Sequence, residues 1–243
     1  MMLQKNSLTV VGVLSRCWLF TYRTPIASAQ HLLPQPLEPV IHNGYAFWNV
    51  VVSLVQHMRP RYFPSFVGIT YWHIAYRLYV RLPLQNEKAI EGLYFLRSDC
   101  DNRFMAIAGN LMTDFCFHIA NVQIQEQEAL IDIRIDELEA SAQVCLLKSD
   151  EPRLSPTSAF TSLEEAADFL KYKPNGISIQ RNGAANVVRI ARQEDLWRYR
   201  LMHVEKAHWS FFDSMDVQPE ICYQIEPIAY QWNRGKLYRP LYQ

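Results

Sequence analysis

The feature that most constrains the fold is an apolar run over residues 45–55, directly after an Asn-Gly pair. The run reads YAFWNVVVSLV, apolar at nearly every position and β-branched at its centre. Such a run is typical of a β-strand covered on both faces, because a strand with one wet face alternates apolar and polar residues. Asn43-Gly44 is a strong hairpin signal. We therefore expect a fold built around a β-sheet that is buried on both sides.

A second strand is predicted over residues 70–82, where two sets of side chains alternate. One set is apolar, and the other carries a histidine and two arginines. Because successive strand residues point to opposite faces, His73 and Arg77, four positions apart, are expected on one face. The apolar set is Ile74, Tyr76, Leu78 and Val80, and the other is His73, Ala75, Arg77, Tyr79 and Arg81.

Similar patterns predict about ten to twelve strands and three short helices, in one mainly β (α+β) domain spanning residues 1–243. Residues 101–113 have helical spacing with a large apolar side, and Ser162 to Glu165 form a capping box that opens a helix. The polar stretch 149–158 is the best candidate for a linker. Further strands are predicted over residues 15–22, 89–97, 118–124, 131–135, 144–147, 177–180, 187–192, 196–204 and 223–232, and the remaining helix over 25–33.

Charge and glycine content exclude several classes of function. Basic and acidic residues balance at 24 each, so no basic field is available to hold a nucleic acid backbone. Arg59, Arg61, Tyr62 and Phe63 mix cations with aromatics, but we expect this loop to pack its rings against the sheet. With 8 glycines and no GxGxxG, Walker or GxSxG motif, dinucleotide, P-loop and serine-hydrolase functions lose their usual support.

The five cysteines and the apolar runs indicate a cytoplasmic protein. The cysteines are odd in number and form no CxxC pair, which argues against disulfides and a thiolate zinc site. His203 and His208 are five apart, a ligand spacing of neither strand nor helix, so no metal is expected. Arg16 interrupts the first apolar run, which argues against a signal peptide. No stretch has the 18 apolar residues of a membrane helix.

Two motifs carry a family resemblance. Residues 77–81 read RLYVR and residues 92–99 read GLYFLRSD, similar to the RxYVR and GVxFxSxD strands of the YqjF-like family, domain of unknown function 2071. The segment from Ser162 to Leu170 and the pair His208-Trp209 match its later motifs, so the resemblance runs from about Cys17 to Leu241. It implies an acetoacetate decarboxylase-like fold, a curved and largely antiparallel β-barrel or cone around a ligand-sized cavity.

The resemblance to the decarboxylases implies their fold for this chain but not their chemistry. Their Gly-Arg-Glu motif falls on Gly109-Asn110-Leu111, and their Schiff-base lysine falls on Phe117, with His118 at its charged neighbour. A pocket glutamate falls on His73. An imine needs an amine whose pKa is lowered by burial or a nearby cation. The resemblance therefore implies no Schiff-base decarboxylation, and we expect no cofactor.

These observations give a candidate pocket. His73 and Arg77 share a face that the resemblance places toward the lumen, and a guanidinium grips a carboxylate in two places. For both Phe117 and His118 to face the lumen, a bulge or turn near Cys116 is needed, because neighbouring strand residues point apart. The candidate ligand-binding residues are His73, Arg77, Tyr94, Phe117 and His118.

Two functions remain open. The first is binding, or conversion without a lysine imine, of a small carbonyl or carboxylate compound in the barrel. The second is a non-catalytic structural or partner-binding protein, favoured if Trp48, Tyr94 and Phe117 fill the lumen. The expected partner is a small molecule, with no nucleic acid and no membrane, and the sequence leaves a homo-oligomer open.

Overall fold

The structure is a computed structural model that describes residues 5–85, 87–148, 151–171, 173–192 and 198–239. Strands dominate, as predicted. In this part of the chain the helices are α1 (Ile26–Leu32), α2 (Arg103–Met112) and α3 (Leu163–Phe169), and the strands are β1 (Val10–Pro25), β2 (Glu38–Pro39), β3 (Ile41–His42), β4 (Tyr45–Pro60), β5 (Ile69–Leu82), β6 (Ile90–Cys100), β7 (Phe117–Ile119), β8 (Asn121–Glu126), β9 (Leu130–Asp136), β10 (Ala142–Leu147), β11 (Asn175–Ile179), β12 (Ala185–Arg192), β13 (Tyr199–Trp209), β14 (Gln218–Ile225), β15 (Ile228–Trp232) and β16 (Lys236–Tyr238).

Strand pairing closes one part of the sheet into a ring. The order runs β1, β4, β5, β6, β11, β12 and β15, and β15 pairs back with the first half of β1. Every pairing in the ring is antiparallel except that of β6 with β11. The expected curved and largely antiparallel sheet is confirmed, and it surrounds a lumen.

A second layer continues from the far half of β1 and packs on the outside of the ring. There the strand order is β1, β14, β13, β10, β9 and β8. Ile131, Ile133 and Ile135 of β9 lie in one core with Trp48 and Tyr76 of the ring. One face of the strand β4 therefore packs against this layer, and the other faces the interior of the ring. Both faces are buried, which explains its continuous apolar run.

One side of the barrel is filled by the segment around α3. Phe160, Ala167 and Leu170 lie in the same core as Phe47 and Tyr79 of the ring strands. The helix begins at the predicted position, because Ser162 Oγ accepts the backbone N–H of Glu165 at 3.1 Å. This helix covers the gap left where β14 turns away from the ring.

Residues 151–158, the part of the predicted 149–158 linker that lies within the described residues, are fixed to the barrel through a buried ion pair. Arg23 Nη1 lies 2.8 Å from Glu220 Oε1, and both side chains are almost completely buried. Arg23 Nη2 donates to Thr157 Oγ1 at 3.1 Å, and Ser158 Oγ donates to the other carboxylate oxygen of Glu220. The segment is therefore a packed connection between β10 and α3.

The strands of the described residues outnumber the expected ten to twelve, because two predicted strands are each broken in two and the short β2, β3 and β16 were not predicted. Residues 118–124 form β7, which pairs with the ring, and β8, which pairs with the second layer. Residues 223–232 divide near Pro227, which has no N–H for a sheet hydrogen bond. The Asn43-Gly44 turn is confirmed, with φ of +47° and +83° between β3 and β4.

Two apolar surfaces are oriented contrary to expectation. In α2 the large side chains Phe104, Ile107 and Leu111 are exposed, whereas Ala106 and Gly109 are buried. The 61–67 loop also exposes its aromatic rings, which do not pack against the sheet. Helical periodicity shows that a helix has an apolar side, but which side faces the protein depends on distant strands.

Candidate functional site

The strand β5 carries His73 and Arg77 on its lumen face. Ile74, Tyr76 and Leu78 belong to the core between the ring and the second layer. Because side chains alternate along a strand, the residues between them point into the ring. His73 and Arg77 therefore face inward.

The lumen contains a cavity of about 50 Å³ that both residues line. The other polar or charged lining residues include Cys17, Ser53 and Arg192. No Asp or Glu of the described residues lines the cavity. Two guanidinium groups thus line the same cavity. The remaining lining residues are Leu14, Leu19, Val51, Ile190, Ile225, Tyr230 and Trp232.

Arg77 is held in place by a chain of buried polar groups. Its Nη2 atom donates to Asn49 Oδ1, and its guanidinium carbon lies 5.4 Å from the centre of the Phe95 ring. Asn49 Nδ2 donates to Tyr79 Oη at 2.8 Å, and Tyr79 Oη donates to the carbonyl of Leu170 at 2.6 Å. A guanidinium has only donors, so this chain fixes the Asn49 amide with its oxygen toward Arg77.

His73 lines the lumen cavity with a stacked and largely desolvated ring. Its ring stacks on Phe117, with centroids 5.3 Å apart and planes 20° apart. Its Nε2 atom is buried and has no hydrogen-bond partner among the described residues. Burial, assisted by the nearby Arg77 charge, lowers the pKa of His73 to about 3, so the ring is neutral at physiological pH.

A second cavity of about 110 Å³ lies at the end of the barrel beside α2. His73, Tyr230 and Trp232 line both cavities, so these three side chains stand between them. The lining of the outer cavity is largely apolar, and it includes Met58, Met105 and Met112, whose flexible side chains adapt to irregular shapes. We call it the vestibule.

Phe117 lines the vestibule beside α2 and is fixed by the helix. Asn110 brackets its backbone, since Oδ1 accepts the Phe117 N–H and Nδ2 donates to the Phe117 carbonyl, each at 2.8 Å. A Cβ atom on Gly109 would lie 2.4 Å from the Phe117 ring, so only glycine fits there. Gly109 and Asn110 therefore position the Phe117 ring, which the sequence resemblance puts at the place of the decarboxylase lysine.

His118 lies outside the lumen, which corrects the expectation that it joins the pocket. The strand β7 runs parallel to the end of β6, with Phe117 beside Ser98 and His118 beside Asp99. The bend that the pocket required is present, since Cys116 has φ of +51°. It turns Phe117 inward only, and alternation leaves His118 exposed, with Nδ1 3.7 Å from Asp99 Oδ1.

Tyr94 is also outside the lumen, a second correction to the candidate pocket. Its neighbours Leu93 and Phe95 belong to the lumen core, whereas Tyr94 packs at the edge of the core between the two layers. Alternation along β6 explains the difference. Burial raises the pKa of the Tyr94 hydroxyl, with Cys116 and Asp114 adding to the effect.

No lysine reaches either cavity. All seven lysines lie in the described part of the chain, and none lines the lumen cavity or the vestibule. The one nearest to α2, Lys5, has its Nζ atom 2.9 Å from Asp114 Oδ1 and 2.9 Å from the carbonyl oxygen of Thr113. The described lumen thus offers no amine for an imine.

Arg192 is the main functional side chain that the sequence interpretation missed. It lies at the end of β12, two residues after Ile190, which also lines the lumen cavity. The spacing of two was a usable signal of a shared face. The sequence could not show that this face points into the lumen, because that depends on β12 pairing with strands far away in the chain.

A larger cleft of about 560 Å³ lies away from the lumen. It opens where β13 stops pairing with β14, after Met202, and pairs with β10 instead. Its charged groups are mostly exposed or paired on the surface, as in His208 Nε2 to Asp213 Oδ1 at 3.0 Å. They do not converge on a buried point, so we place the candidate site in the lumen.

Metal and membrane features were sought across the described ranges. Those residues contain no group of three or more His, Cys, Asp and Glu side chains arranged to hold a metal ion. None of the helices described is long and apolar enough to cross a membrane.

Comparison with models of known families assigns the chain to one of them. Residues 14–224 match the family model DUF2071, described as an uncharacterized conserved protein. The chain belongs to the DUF2071 family. The family that the RLYVR and GLYFLRSD motifs indicated is thereby confirmed. A search of the curated proteins found no match.

Solved structures resemble this DUF2071 protein in fold. An acetoacetate decarboxylase-like enzyme from Sphingomonas wittichii RW1 aligns with a TM-score of 0.62 and 11% identity, over 98% of this chain and 95% of that one. Acetoacetate decarboxylase from Legionella pneumophila aligns with a TM-score of 0.61 and 11% identity, over 95% and 88%. The enduracididine biosynthesis enzyme MppR, complexed with pyruvate, aligns with a TM-score of 0.55 and 12% identity, over 97% and 91%. At these identities the likeness shows the acetoacetate decarboxylase-like fold.

Proposed function

We propose that this DUF2071 protein binds a small carbonyl compound bearing a carboxylate in the lumen cavity, with the carboxylate held by Arg77 and Arg192. The observation that carries the proposal is that these two guanidinium groups and His73 line one cavity inside the ring. A guanidinium presents parallel N–H donors that match the two oxygens of a carboxylate. In a low-dielectric interior such bonds are stronger than in water.

His73 supplies a neutral donor next to the two cations. With its pKa lowered to about 3 by burial, its ring carries one N–H, and in the Nε2 tautomer this N–H has no partner among the described residues. A buried polar atom without a partner costs about 1–3 kcal/mol. A ligand oxygen that accepts this N–H would remove that cost, and this favours a ligand with a carbonyl or carboxylate at His73.

The sizes of the two cavities limit the ligand. The lumen cavity of about 50 Å³ has room for one carboxylate-sized group, since a water molecule occupies about 30 Å³ in the liquid. The vestibule of about 110 Å³ would take a short apolar chain, once the side chains of Tyr230 and Trp232 adjust. The proposed ligand class is therefore short keto acids and related carboxylates.

Any conversion in this site runs without a lysine imine. Phe117 occupies the place of the decarboxylase lysine, and no lysine lines the two cavities. The similar structures supply the first compounds to test, because one is an acetoacetate decarboxylase and another is an enzyme complexed with pyruvate. Pyruvate and acetoacetate are accordingly the first probes.

Thermal denaturation with a panel of small compounds tests the proposal. Pyruvate, acetoacetate and propionate are compared with the matched neutral amides pyruvamide and propionamide. A ligand that binds only the folded chain raises its midpoint. We expect at least one carboxylate to raise the midpoint and its amide to leave it unchanged.

Variants of the arginines test whether the carboxylate binds in the lumen cavity. Arg77→Met and Arg192→Met should abolish the rise, whereas Arg81→Met, on the same strand but paired with Glu91 at the surface, should retain it. A panel in which no carboxylate raises the midpoint contradicts the proposal.

The second function, a non-catalytic structural or partner-binding protein, has one observation in its favour. Arg77 already bonds Asn49 inside the barrel, so its charge has a structural use. Of the three side chains expected to fill the lumen in that case, Trp48 lies in the outer core and Tyr94 at its edge. A negative panel, together with loss of stability in Arg77→Met, would favour this function.

A further inference from the structure

We infer that two copies of this chain associate through the end of the barrel formed by the outward face of α2 and the 61–67 loop. We call this surface the end patch. The inference is independent of the ligand proposed for the lumen. It follows from how much apolar surface the end patch exposes, how that surface is held, and which charges accompany it.

The outward face of α2 is apolar without a covering element. Phe104, Ile107 and Leu111 lie at positions i, i+3 and i+7, so they share one side of the helix. They are 65%, 63% and 70% exposed, whereas Ala106 and Gly109 face the barrel. A helix on a monomer normally buries its large apolar side chains and exposes the polar ones.

The 61–67 loop adds three exposed aromatic rings in a fixed conformation. Tyr62 and Phe66 are 92% and 85% exposed, and Phe63 is 57% exposed. Arg59 holds the loop, because its Nε atom donates to the carbonyl of Phe63 at 3.0 Å and its Nη1 atom to that of His57 at 2.9 Å. The rings are therefore presented by a shaped loop.

The loop and the helix stand at the same end of the barrel and are joined by the N-terminal segment. The loop connects β4 to β5, and α2 follows β6, whose last residues pair with the first residues of β5. Arg61 N donates to the carbonyl of Thr9 at 3.0 Å, and Asn6 N donates to that of Met112 at 2.5 Å. Leu8 lies between these two contacts and is itself exposed.

The exposed area is that of a protein interface. With a full aromatic side chain at roughly 150–250 Å², Tyr62, Phe63, Phe66 and Phe104 together expose on the order of 600 Å². The largest apolar patch on a monomer is about 300–600 Å² in total. With Ile107 and Leu111 added, the end patch approaches the roughly 800 Å² per partner of a stable interface.

The charges favour a second copy over a lipid surface. Residues 5–9, 57–67 and 103–113 contain no Asp or Glu, and they carry Lys5, Arg59, Arg61 and Arg103. Lys5 is paired with Asp114, and the Arg59 side chain holds the loop. Arg59, Arg61 and Arg103 remain as cations, because the Arg59 bonds go to neutral carbonyls, and three are fewer than the cluster of about four to eight that attracts an anionic membrane.

Self-association of the end patch agrees with its amino-acid composition. Interface cores are rich in aromatic residues and arginine and poor in acidic ones, as the end patch is. A patch that meets its own copy across a two-fold axis gives a closed dimer, the commonest oligomer.

Sedimentation velocity of the full chain over a concentration series tests the inference. We expect the wild type to form dimers, and Ile107→Glu and Phe66→Ser each to weaken the association by about 30-fold or more, as the loss of a central interface side chain does. Leu138→Glu is the matched control, because Leu138 is fully exposed on the turn between β9 and β10, and it should dimerise as the wild type does. Circular dichroism and the thermal midpoint confirm that each variant folds.

Two results would overturn the inference. One is a wild type that is monomeric throughout the series, and the other is a dimer that neither variant weakens. Sedimentation with vesicles of phosphatidylcholine and phosphatidylserine accompanies the experiment. A monomeric wild type that binds these vesicles, and loses binding in Phe66→Ser, would assign the end patch to a membrane instead.

Discussion

The His73 ring is held by Phe117 on one face, while its buried Nε2 atom has no hydrogen-bond partner among the described residues. The same position in the decarboxylases carries a pocket glutamate, as the sequence resemblance implies. Exchanging a carboxylate for a neutral ring removes a negative charge from a cavity that Arg77 and Arg192 also line, which supports the proposed carboxylate ligand.

The pH dependence of stability should report the burial of His73. Its folded pKa is lowered from 6.5 to about 3, so the unfolded chain binds a proton that the folded chain does not. Its contribution to stability is therefore full above pH 6.5 and is lost as the pH falls from 6.5 toward 3. We expect His73→Phe to reduce this fall in stability at acid pH, the acid limb, as measured by urea denaturation at several pH values. The exposed His31→Asn should leave the limb unchanged, and an equally steep limb in His73→Phe would contradict the burial.

Replacement of the decarboxylase lysine by Phe117 predicts no trapped imine. Incubation with acetoacetate and borohydride should leave the mass of the protein unchanged, because no lysine lines the lumen or the vestibule. Mass spectrometry is the measurement, and a Schiff-base decarboxylase treated in parallel is the positive control. An adduct abolished by mutation of one particular lysine would show that an amine does reach the site.

At the scale of elements, the sequence predicted β5 well because its information is local. The alternation of His73 and Arg77 with Ile74 and Leu78 needs only the period of a strand. The side chain of His118 could not be placed in the same way. Its direction depends on the left-handed backbone of Cys116 and on the parallel pairing of β7 with β6.

Two other elements show the same limit. Arg192 enters the lumen because β12 pairs with β15, which closes the ring through residues about forty positions away. The apolar side of α2 was visible in the sequence, but the direction in which it faces is set by strands that precede and follow it. Local pattern thus gave the strands and their faces, while non-local pairing decided which faces meet.

The start of α3 offers a local test at this scale. Ser162 Oγ accepts the Glu165 N–H, and the Glu165 carboxylate turns back to Thr161 at 2.8 Å from its backbone nitrogen. Ser162→Ala should lower the free energy of unfolding by about 1 kcal/mol, because it leaves that N–H without its cap. Denaturant titration measures the loss. Ser214→Ala, in an exposed turn, should cost far less, and equal midpoints for the two variants would contradict the assigned cap.

For the whole molecule, Arg97 joins the barrel to the second layer. From β6 it reaches Asp99 with Nε at 2.7 Å, Glu137 with Nη2 at 2.6 Å and Glu139 with Nη1 at 3.0 Å. Burial raises the pKa of Asp99 to about 6, although Arg97 acts to lower it. The two glutamates lie on the turn between β9 and β10, so one guanidinium clamps the layers together.

Removing that clamp should destabilise the fold strongly. Arg97→Met should cost about 3–5 kcal/mol, because it leaves the buried Asp99 carboxylate uncompensated. The double variant Arg97→Met/Asp99→Asn should lose clearly less, since the stranded charge is gone. Arg134→Met, which breaks the exposed pair with Asp136, should cost less than about 1 kcal/mol. Denaturant unfolding measures all three, and a loss in Arg97→Met no larger than in Arg134→Met would contradict the clamp.

The central claim is that the lumen binds a small carboxylate through Arg77 and Arg192, and calorimetric titration of pyruvate or the best carboxylate of the panel tests it most directly. The account predicts saturable binding at one site per chain, lost in Arg77→Met and in Arg192→Met but kept in Arg81→Met, which lies on the same strand outside the lumen. The neutral amide of the same compound should bind far more weakly, because it lacks the charge and the second oxygen with which a carboxylate accepts bidentate guanidinium bonds. Equal affinity of the wild type and the two lumen variants, each shown to be folded, would contradict the account.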